Sequence, residues 1–390
     1  MGIIFSSFNG LEAYPRLRFK AYLNAWNISP LKDLASYGNK RTSVNKRHFI
    51  STENMLQNFQ GIEQYVDETV VSGVKFEKND ILLANIRPYL RKVWYATFDG
   101  AASTDVLVIH TNKQNSLFLK YIIANDKFID YVMGAAKGCK MPRGDKNFIM
   151  DYKVGYPSLP EQQKIANFLS LVDQRIEKQR QLVESLKKYK RGLFLKLYNE
   201  ADKNIILFKN IYDIASEGGT PSTLDPENYE NGKLPFIKID DLNQHYLTAA
   251  KYFITEKGLK KSSAWIVPEN SIIYSNGATI GACSINKMPV TTKQGILGIV
   301  PKSNFSVEFL YFYFTSSLFK EKIRAITTKG TMDCAYLKDI NNIKINIPNF
   351  IIQQKIAKVM VNFENLIERT EFALISLQNI KKALLQKMFI

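Results

Sequence analysis

Positively charged side chains cluster with aromatic and amide side chains at three places in the first half of the chain. The candidate contact residues in these clusters are Lys40, Arg41, Lys46, Arg47, Arg87, Tyr89, Arg91, Lys92, Lys137, Lys140 and Arg143. Lysine and arginine bind phosphate oxygens through their charge, and the planar arginine fork can also bind the edge of guanine. Each cluster alone is typical of a solvated surface, whereas the three together favour a polyanion such as nucleic acid.

A comparable surface is predicted in the second half of the chain, around a predicted pair of strands. Its candidate residues are Lys233, Lys238, Asn243, Gln244, His245 and Lys251. Asparagine and glutamine can bind the edge of adenine through their amide groups. The nearby sequence Gly-Gly-Thr-Pro-Ser at 218–222 could enclose a phosphate with its backbone amides, but it lacks the Gly-x-x-x-x-Gly-Lys spacing of a nucleotide site. We therefore expect a turn there.

The sequence shows no pattern that is typical of catalysis or of metal binding. Metal-dependent nucleases combine paired carboxylates with Glu-x-Lys or Asp-x-Lys, and the single match, Asp151-Tyr152-Lys153, is isolated. A glycine-rich cofactor loop and the Pro-Pro-aromatic tetrad of DNA methyltransferases are both missing. The histidines and cysteines lack the spacing of zinc ligands. We expect a chain without a catalytic residue, a metal ion or a cofactor of its own.

Composition restricts the partners and the compartment. Lys plus Arg number 53 against 36 Asp plus Glu, a net charge of +17 that favours nucleic acid first and a membrane surface second. Cys139, Cys283 and Cys334 are odd in number and widely spaced, which indicates a reducing compartment rather than a disulfide framework. No apolar run reaches the roughly 18 residues of a membrane span. The sequence therefore predicts a soluble cytoplasmic protein without a membrane partner.

Two nearly identical stretches show that the chain is internally duplicated. EQQKIA at 161–166 and IQQKIA at 352–357 are 191 residues apart, and the same offset relates Pro157 to Pro348 and Asn85 to Asn276. A repeat of about half the chain length predicts two similar halves. Short predicted strands at 80–86, 92–98, 105–110, 271–276, 282–285 and 295–301, with helical segments at 117–133 and 307–326, make each half an α+β domain.

A narrow apolar seam with steps of three and four residues follows each copy of the repeated motif. Its positions are Gln162, Ile165, Leu169, Val172, Ile176, Val183, Leu186 and Leu193 in the first copy, and Gln353, Ile356, Met360, Phe363, Ile367, Leu374, Leu377 and Leu384 in the second. The heptad pattern predicts two long helices, the first from 162 to 198, that pair as an antiparallel coiled coil. In the alternative, each stripe packs on its own domain.

Polar residues interrupt both seams at the same two places. They are Gln179 and Lys190 in the first helix, and Thr370 and Lys381 in the second. A polar residue in a seam can fix the alignment of the helices or face a further protein. For the two lysines, an equally good interpretation is that they are solvated where the helices diverge.

The duplicated motif, together with two other stretches, resembles a known family. The repeated Pro-x-x-x-x-Gln-Gln-Lys-Ile-Ala begins at Pro157 and at Pro348, Gly-Gly-Thr-Pro-Ser at 218–222 is followed by Leu-Pro-Phe-Ile at 234–237, and Pro-Arg-Leu-Arg-Phe stands at 15–19. With these motifs the whole chain resembles the DNA-specificity subunit of a type I restriction-modification system.

The resemblance implies an α+β fold with two tandem target recognition domains and two conserved helices that form an antiparallel coiled coil. Recognition domains are expected at 1–156 and 201–347, with helical regions at 157–200 and 348–390. In the family, each recognition domain reads one half of a split site in double-stranded DNA, and the helices dock two methyltransferase subunits. Restriction and translocase subunits complete the complex, and S-adenosylmethionine, ATP and magnesium belong to these partner subunits.

The chain departs from the family pattern at one place, and three alternatives to the family interpretation stay open. Ile351-Ile352 stands where the usual Pro-Glu pair is found at 160–161, so one docking surface is expected to be less typical. The two recognition halves differ in sequence, which implies an asymmetric target. The alternatives are a related system with a fused methylase-nuclease partner, a duplicated scaffold that binds no DNA, and a nuclease with an unrecognised site.

Overall fold

The fold consists of two units, and each of the two long helices begins in one unit and ends in the other. The computed structural model describes residues 5–6, 14–138, 140–242, 244–277, 279–327 and 334–389, so Cys139 and Asn243 lie outside the described residues. Unit 1 comprises Met1–Arg180 and Phe372–Ile390, and unit 2 comprises Gln181–Glu371. Each unit is an α+β domain with the beginning of one long helix and the end of the other. The prediction of two α+β domains with two long helices is confirmed.

Unit 1 contains two four-stranded sheets and a set of short helices. Its strands are β1 (Phe5–Ser6), β2 (Arg18–Phe19), β3 (Asn27–Pro30), β4 (Ala35–Tyr37), β5 (Arg41–Asn45), β6 (Phe49–Ile50), β7 (Val70–Phe76), β8 (Ile81–Ala84), β9 (Val93–Tyr95), β10 (Gly100–Ala102), β11 (Val106–Thr111) and β12 (Lys153–Tyr156). Its short helices are α1 (Leu31–Leu34), α2 (Ser116–Ile123), α3 (Asp126–Gly134) and α4 (Lys146–Met150). The sheet orders are β5-β7-β10-β6 and β4-β11-β8-β9, and β12 pairs with β3.

The sheet that contains β8 separates two apolar cores in unit 1. Ile81 and Leu83 face the core that includes α2 and α3, whereas Leu82 and Ala84 face the core that includes β10. This alternation follows from the period of two in a strand. Because both faces of the sheet are covered, all four residues of β8 are buried, and their sequence is a continuous apolar run.

Unit 2 repeats this plan with one strand more in its central sheet. Its strands are β13 (Lys203–Leu207), β14 (Tyr212–Glu217), β15 (Leu234–Ile237), β16 (Tyr246–Leu247), β17 (Phe253–Ile254), β18 (Ile272–Ser275), β19 (Cys283–Asn286), β20 (Thr291–Thr292), β21 (Ile296–Pro301) and β22 (Lys344–Pro348). Its short helices are α6 (Glu256–Lys260), α7 (Val307–Thr315), α8 (Ser317–Ile326) and α9 (Leu337–Ile340). The central order is β14-β21-β18-β19-β16, and β17-β15-β20 and β13-β22 are separate sheets.

The two helical segments predicted at 117–133 and 307–326 are each divided into two helices. In unit 1 the break falls at Asn125, whose side-chain oxygen accepts a hydrogen bond from the amide of Lys127 and so caps α3. In unit 2 the break falls at Ser316, between α7 and α8. The apolar pattern runs through both breaks because the helices on either side bury apolar faces.

The long helices α5 (Leu159–Glu200) and α10 (Phe350–Met388) begin in the same way. In each, the first glutamine of the repeated motif is buried, donates to a proline carbonyl and accepts from an amide of its own domain. Gln162 bonds to Pro157 (2.8 Å) and Asn115 (3.0 Å). Gln353 bonds to Pro348 (2.8 Å) and Ser306 (3.0 Å). The repeated glutamine therefore anchors each helix to its domain through matched hydrogen bonds.

Within each unit the two helices run antiparallel. In unit 1, Lys381 Nζ lies 2.6 Å from Asp173 Oδ1, and Leu385 joins the core that contains Ile165. In unit 2, Lys190 forms an ion pair with Glu364, and Lys187 lies 2.7 Å from Glu371. In both units, residue numbers increase along one helix while those of the contacting residues decrease along the other. The prediction that the helices are antiparallel is therefore confirmed.

The seam residues are shielded from solvent, as a heptad pattern requires. Those in the first turns of each helix also pack into the core of a domain. The sixteen predicted positions, which run from Gln162 to Leu193 and from Gln353 to Leu384, are all buried or half-buried. Ile165 and Leu169 belong to the core of unit 1, and Ile356 and Met360 belong to the core of unit 2. The pairing prediction and its alternative therefore describe different stretches of the same helices.

Lys190 and Lys381, the matched lysines of the seams, are neither solvated nor unpaired. Each is about one-fifth to one-quarter exposed and forms an ion pair with a carboxylate of the facing helix, Glu364 or Asp173. Burial alone would raise the pKa of Asp173, but the charges of Lys120 and Lys381 outweigh it and lower that pKa. These matched ion pairs favour one alignment of the helices.

Candidate nucleic-acid interface

The turn that follows β8 presents two of the predicted contact residues in unit 1. Arg87 and Arg91 both adopt the left-handed backbone conformation, with φ of 52° and 54°, on either side of a 3-10 turn at Pro88–Leu90. Such a conformation strains a residue with a side chain, and strained residues cluster at functional sites. Tyr89 stands at the tip of the turn and is 45% exposed. The Nε atom of Arg87 is buried and has no hydrogen-bond partner among the described residues.

The loop between α3 and α4 lies directly beside this turn. The amide of Arg87 donates to the carbonyl of Pro142 (2.8 Å), and the amide of Gly144 donates to the carbonyl of Asn85 (3.1 Å). Within the loop, Lys137 and Arg143 pair through two backbone hydrogen bonds. The structure thus joins two clusters that are about 50 residues apart in the sequence. We call this surface, formed by Arg87, Tyr89, Lys137, Lys140 and Arg143, the unit 1 basic surface.

Acidic neighbours reduce the charge of this surface without cancelling it. Arg143 is 3.0 Å from Asp105, and Lys137 is 3.4 Å from Asp145; both basic side chains are more than half exposed. Lys140 is exposed as well. Because exposed pairs of this kind are weak, a phosphate can replace the carboxylate. The surface keeps an excess of positive charge that suits a phosphate backbone.

Two predicted residues of the same cluster are directed into the fold. The Nε atom of Arg91 donates to Asp126 at 2.8 Å, on α3. The ammonium group of Lys92 donates to the carbonyl of Thr52 at 2.6 Å, and burial lowers its pKa. Arg91 and Lys92 therefore stabilise the base of the turn.

The third cluster of unit 1 lies on the sheet that contains β5 and β7. Lys40, Arg41 and Arg47 are exposed. Lys46 is 2.8 Å from Asp67, and its hydrogen bond, with those of Thr69, lowers the pKa of Asp67 to about 2. Lys46 thus already has a carboxylate partner, whereas the other three cations are open to solvent.

The predicted surface of unit 2 carries almost no excess charge. Lys238 lies over the ring of Tyr252 at 3.5 Å, and Lys251 lies between Asp240 and Asp241 at 3.9 and 3.7 Å. Lys233 and Gln244 are exposed, and Asn243 lies outside the described residues. The prediction is wrong for His245, which is buried between the rings of Tyr246 and Tyr311. Two lysines thus face two aspartates, so any contact with nucleic acid here would depend on hydrogen bonds more than on charge.

In unit 2, residues 279–281 form a turn after β18 that the predicted contact residues do not include. This turn lies 191 residues beyond the Arg87 turn, and Asn276 bonds to Ala335 as Asn85 bonds to Gly144. Gly281 in this turn has φ +96° and lies beside the side chain of Lys320 on α8. The repeat offset was the signal that could have found this turn.

The segment at 218–222 is packed against its own domain. The amide of Gly218 donates to the carbonyl of Ile296 at 2.9 Å. A Cβ atom at Gly218 would lie 2.0 Å from the carbonyl oxygen of Thr292, and one at Gly219 would lie 2.4 Å from the amide nitrogen of Ala264. The two glycines therefore permit a close approach of backbone to backbone.

No helix in the part of the chain that the structure describes is long and apolar enough to cross a membrane. Within those same residues, no three His, Cys, Asp or Glu side chains converge as a metal site would require.

Comparison with known proteins finds one family throughout the chain. The family model described as "Type I restriction modification DNA specificity domain" matches residues 24–188 and 205–377. The specificity subunit of the MjaIX type I restriction enzyme of Methanocaldococcus jannaschii is 33% identical over 192 residues, which are 48% of this chain and 44% of that protein. The MjaVIII specificity subunit of the same organism is 24% identical over 351 residues, 82% of this chain and 80% of that protein. The chain thus spans under half of the first relative.

Solved structures show the same fold. A chain from a study of the "complex assembly and conformational transition of the type I R-M system" has a TM-score of 0.62 at 17% identity and covers 93% of this chain and 97% of its own length. The type I restriction-modification S subunit from M. genitalium has a TM-score of 0.55 at 17% identity, with 97% and 99% covered. Both family-model matches fall on the two repeated halves. The chain therefore belongs to the family described as type I restriction modification DNA specificity domain.

Proposed function

We propose that this chain directs a type I restriction-modification complex to a split, asymmetric site in double-stranded DNA. The domains at 1–156 and 201–347 each recognise one half-site, and the helical regions at 157–200 and 348–390 dock two methyltransferase subunits, with restriction and translocase subunits joining them. S-adenosylmethionine, ATP and magnesium act in these partners, and the complex works in the cytoplasm.

The observation that carries this proposal is the unit 1 basic surface. Two clusters that are distant in the sequence meet at a strained, solvent-facing turn with an exposed tyrosine at its tip. A protruding element with cations around it fits a groove flanked by phosphates. The two halves differ in sequence, which supports two unlike half-sites.

Loss of methylation at one split motif is the outcome expected when this gene alone is deleted. The measurement is single-molecule sequencing of DNA from cells that carry the chain with its neighbouring methyltransferase, compared with cells that lack only this chain. A motif that is methylated in the first cells and unmethylated in the second would establish the function. Identical methylation in both would contradict the proposal.

The unit 1 basic surface can be tested with one exposed lysine. Lys140→Ala should weaken binding to every DNA sequence and lower the slope of log affinity against log salt by about 0.9, the value for one phosphate contact. Lys113→Ala, an exposed lysine outside the three clusters, should change neither quantity. Titrations at several salt concentrations measure both. Equal behaviour of the two variants would mean that the surface does not contact DNA.

A further inference from the structure

We infer that a groove along β9 in unit 1 receives an extended segment of the methyltransferase subunit, which pairs with the open edge of the sheet. This inference rests on the proposed function, because it takes the methyltransferase as the partner that docks on the helices beside the groove. In unit 2 the chain fills the corresponding place with its own residues.

β9 is the edge strand of its sheet, whereas its counterpart β19 is covered by β16. The two strands can be aligned through their shared neighbour. Leu82 of β8 pairs with Trp94, and Ile273 of β18, 191 residues further on, pairs with Ser284. Trp94 thus corresponds to Ser284, Tyr95 to Ile285 and Thr97 to Lys287.

In unit 2 the outward amides of this strand are occupied. Ile285 donates to the carbonyl of His245 at 2.8 Å and Lys287 donates to that of Leu247 at 3.0 Å. In unit 1 the amide of Ala96 points inward to Asp80 at 2.9 Å. Because direction alternates along a strand, the amide of Tyr95 points outward. Thr97 follows the end of β9, and its correspondence with Lys287 places its amide on the same side. No strand among the described residues pairs with that side of β9. The chain's own contact stops short of the strand, where the amide of Phe59 donates to the carbonyl of Arg91 at 2.8 Å.

A groove of about 660 Å³ runs along this edge, large enough for several residues of an extended peptide. Its lining includes Trp94, Tyr95 and Thr97 on the strand side, residues 58–61, Lys120 and Tyr121 of α2, and Ser170 of α5. In unit 2 the matching position of Lys120 is Tyr311, whose ring stacks on His245 at 4.2 Å. His245 stacks in turn on Tyr246 at 4.0 Å.

The charges of the groove indicate the chemistry of its occupant. Asp173 is shared by Lys120 and Lys381, at 3.1 and 2.6 Å. Asp126 is shared by Arg91 and Lys382, at 2.8 and 3.4 Å. Arg180 and Glu177, which form an ion pair, also line the groove. Five cations thus face three carboxylates, so the groove suits a segment that carries acidic side chains. By analogy with His245 and Tyr246, it should also carry an aromatic ring.

The position of the groove indicates which protein supplies the segment. Ser170 on α5 and Gln378 on α10 both line it, so the groove opens beside the paired helices of unit 1. A methyltransferase subunit on those helices could reach the edge of β9 without a long connection. Adding a strand to an exposed sheet edge is a common mode of peptide binding, and it would protect an edge that is otherwise open to aggregation.

Hydrogen exchange of the full chain tests this, alone and in complex with the purified methyltransferase subunit from the neighbouring gene. We expect the amides around Tyr95 and Thr97 to become protected in the complex. Those of Ile285 and Lys287, which are already bonded, should stay as they are. A complex that forms while β9 exchanges as before would overturn the inference and leave the proposed function intact. Protection by DNA alone would overturn it in favour of a nucleic-acid groove.

Two variants at one position separate the amide from the side chain. Thr97→Pro removes the outward N–H, and Thr97→Ala keeps it and removes only the side chain. The proline variant should bind the methyltransferase about tenfold more weakly at this site, the effect of one lost hydrogen bond, and the alanine variant should bind as the parent does. DNA affinity of the chain alone should not change in either. Equal methyltransferase affinities for the two variants would contradict strand addition.

Discussion

Glu161→Gln should lower the free energy of unfolding of unit 1 by roughly 3–5 kcal/mol, because it leaves a buried guanidinium without a counter-charge. Arg18 and Glu161 are 2% and 1% exposed. The Nε and Nη2 atoms of Arg18 donate to the two carboxylate oxygens at 2.7 and 2.8 Å. A fork-to-fork pair in this geometry is strong only while both partners are present.

Chemical denaturation followed by tryptophan fluorescence measures this effect. Trp265 is the tryptophan of unit 2, so a Trp265→Phe background leaves Trp26 and Trp94 to report unit 1. The double variant Arg18→Met/Glu161→Leu is the control, since an apolar pair of similar volume should unfold within about 1–2 kcal/mol of the parent. A single variant as stable as the parent would show that the pair contributes nothing.

The second large effect is a loss of stability in unit 2 at acidic pH, caused by His245. Its ring is stacked on Tyr246 and Tyr311, and it is 5% exposed. Burial, together with the charges of Lys190 and Lys287, lowers the pKa of His245 from 6.5 to about 4. The neutral imidazole is therefore the form that the folded unit accepts.

The direction of this pH effect on stability follows from proton binding in the folded and unfolded states. Between pH 6.5 and about pH 4 the unfolded chain binds a proton at this histidine and the folded chain does not, so stability falls as the pH falls. The loss from pH 7 to pH 4 should be about 3 kcal/mol. His245→Phe keeps the stacking surface and should remove this component. Unfolding monitored through Trp265 at several pH values gives the difference, and equal slopes for parent and variant would refute the assignment.

The long helices and the strands around β8 and β18 could be predicted because their signals are local. Heptad steps and an exact repeat offset are visible in the sequence, so the first helix was placed within three residues of its observed ends, Leu159 and Glu200. The predicted strands at 80–86 and 271–276 contain β8 and β18 for the same reason. Continuous apolar runs between turn residues are readable without knowledge of the fold.

The partners of charged residues could not be predicted, because they depend on contacts distant in the sequence. Arg18 and Glu161 are 143 residues apart, and nothing local indicates that they meet. Arg91 and Lys92 looked like their exposed neighbours, yet each binds an oxygen 35 or 40 residues away. The Pro-Glu pair at 160–161, predicted to be a docking feature, includes the carboxylate that neutralises Arg18. Ile352 takes its place in unit 2.

The division of each long helix between the two units affects the order in which the units fold on the ribosome. The core of unit 1 includes Leu385, Met388 and Phe389, which are translated after all of unit 2. Unit 2 is continuous in the chain, from Gln181 to Glu371, so its core needs no residue that is translated after Glu371. N-terminal domains generally finish folding first during synthesis, and here the order should be reversed. Until translation passes residue 389, the first-made domain presents an unfilled apolar cleft that a chaperone could recognise.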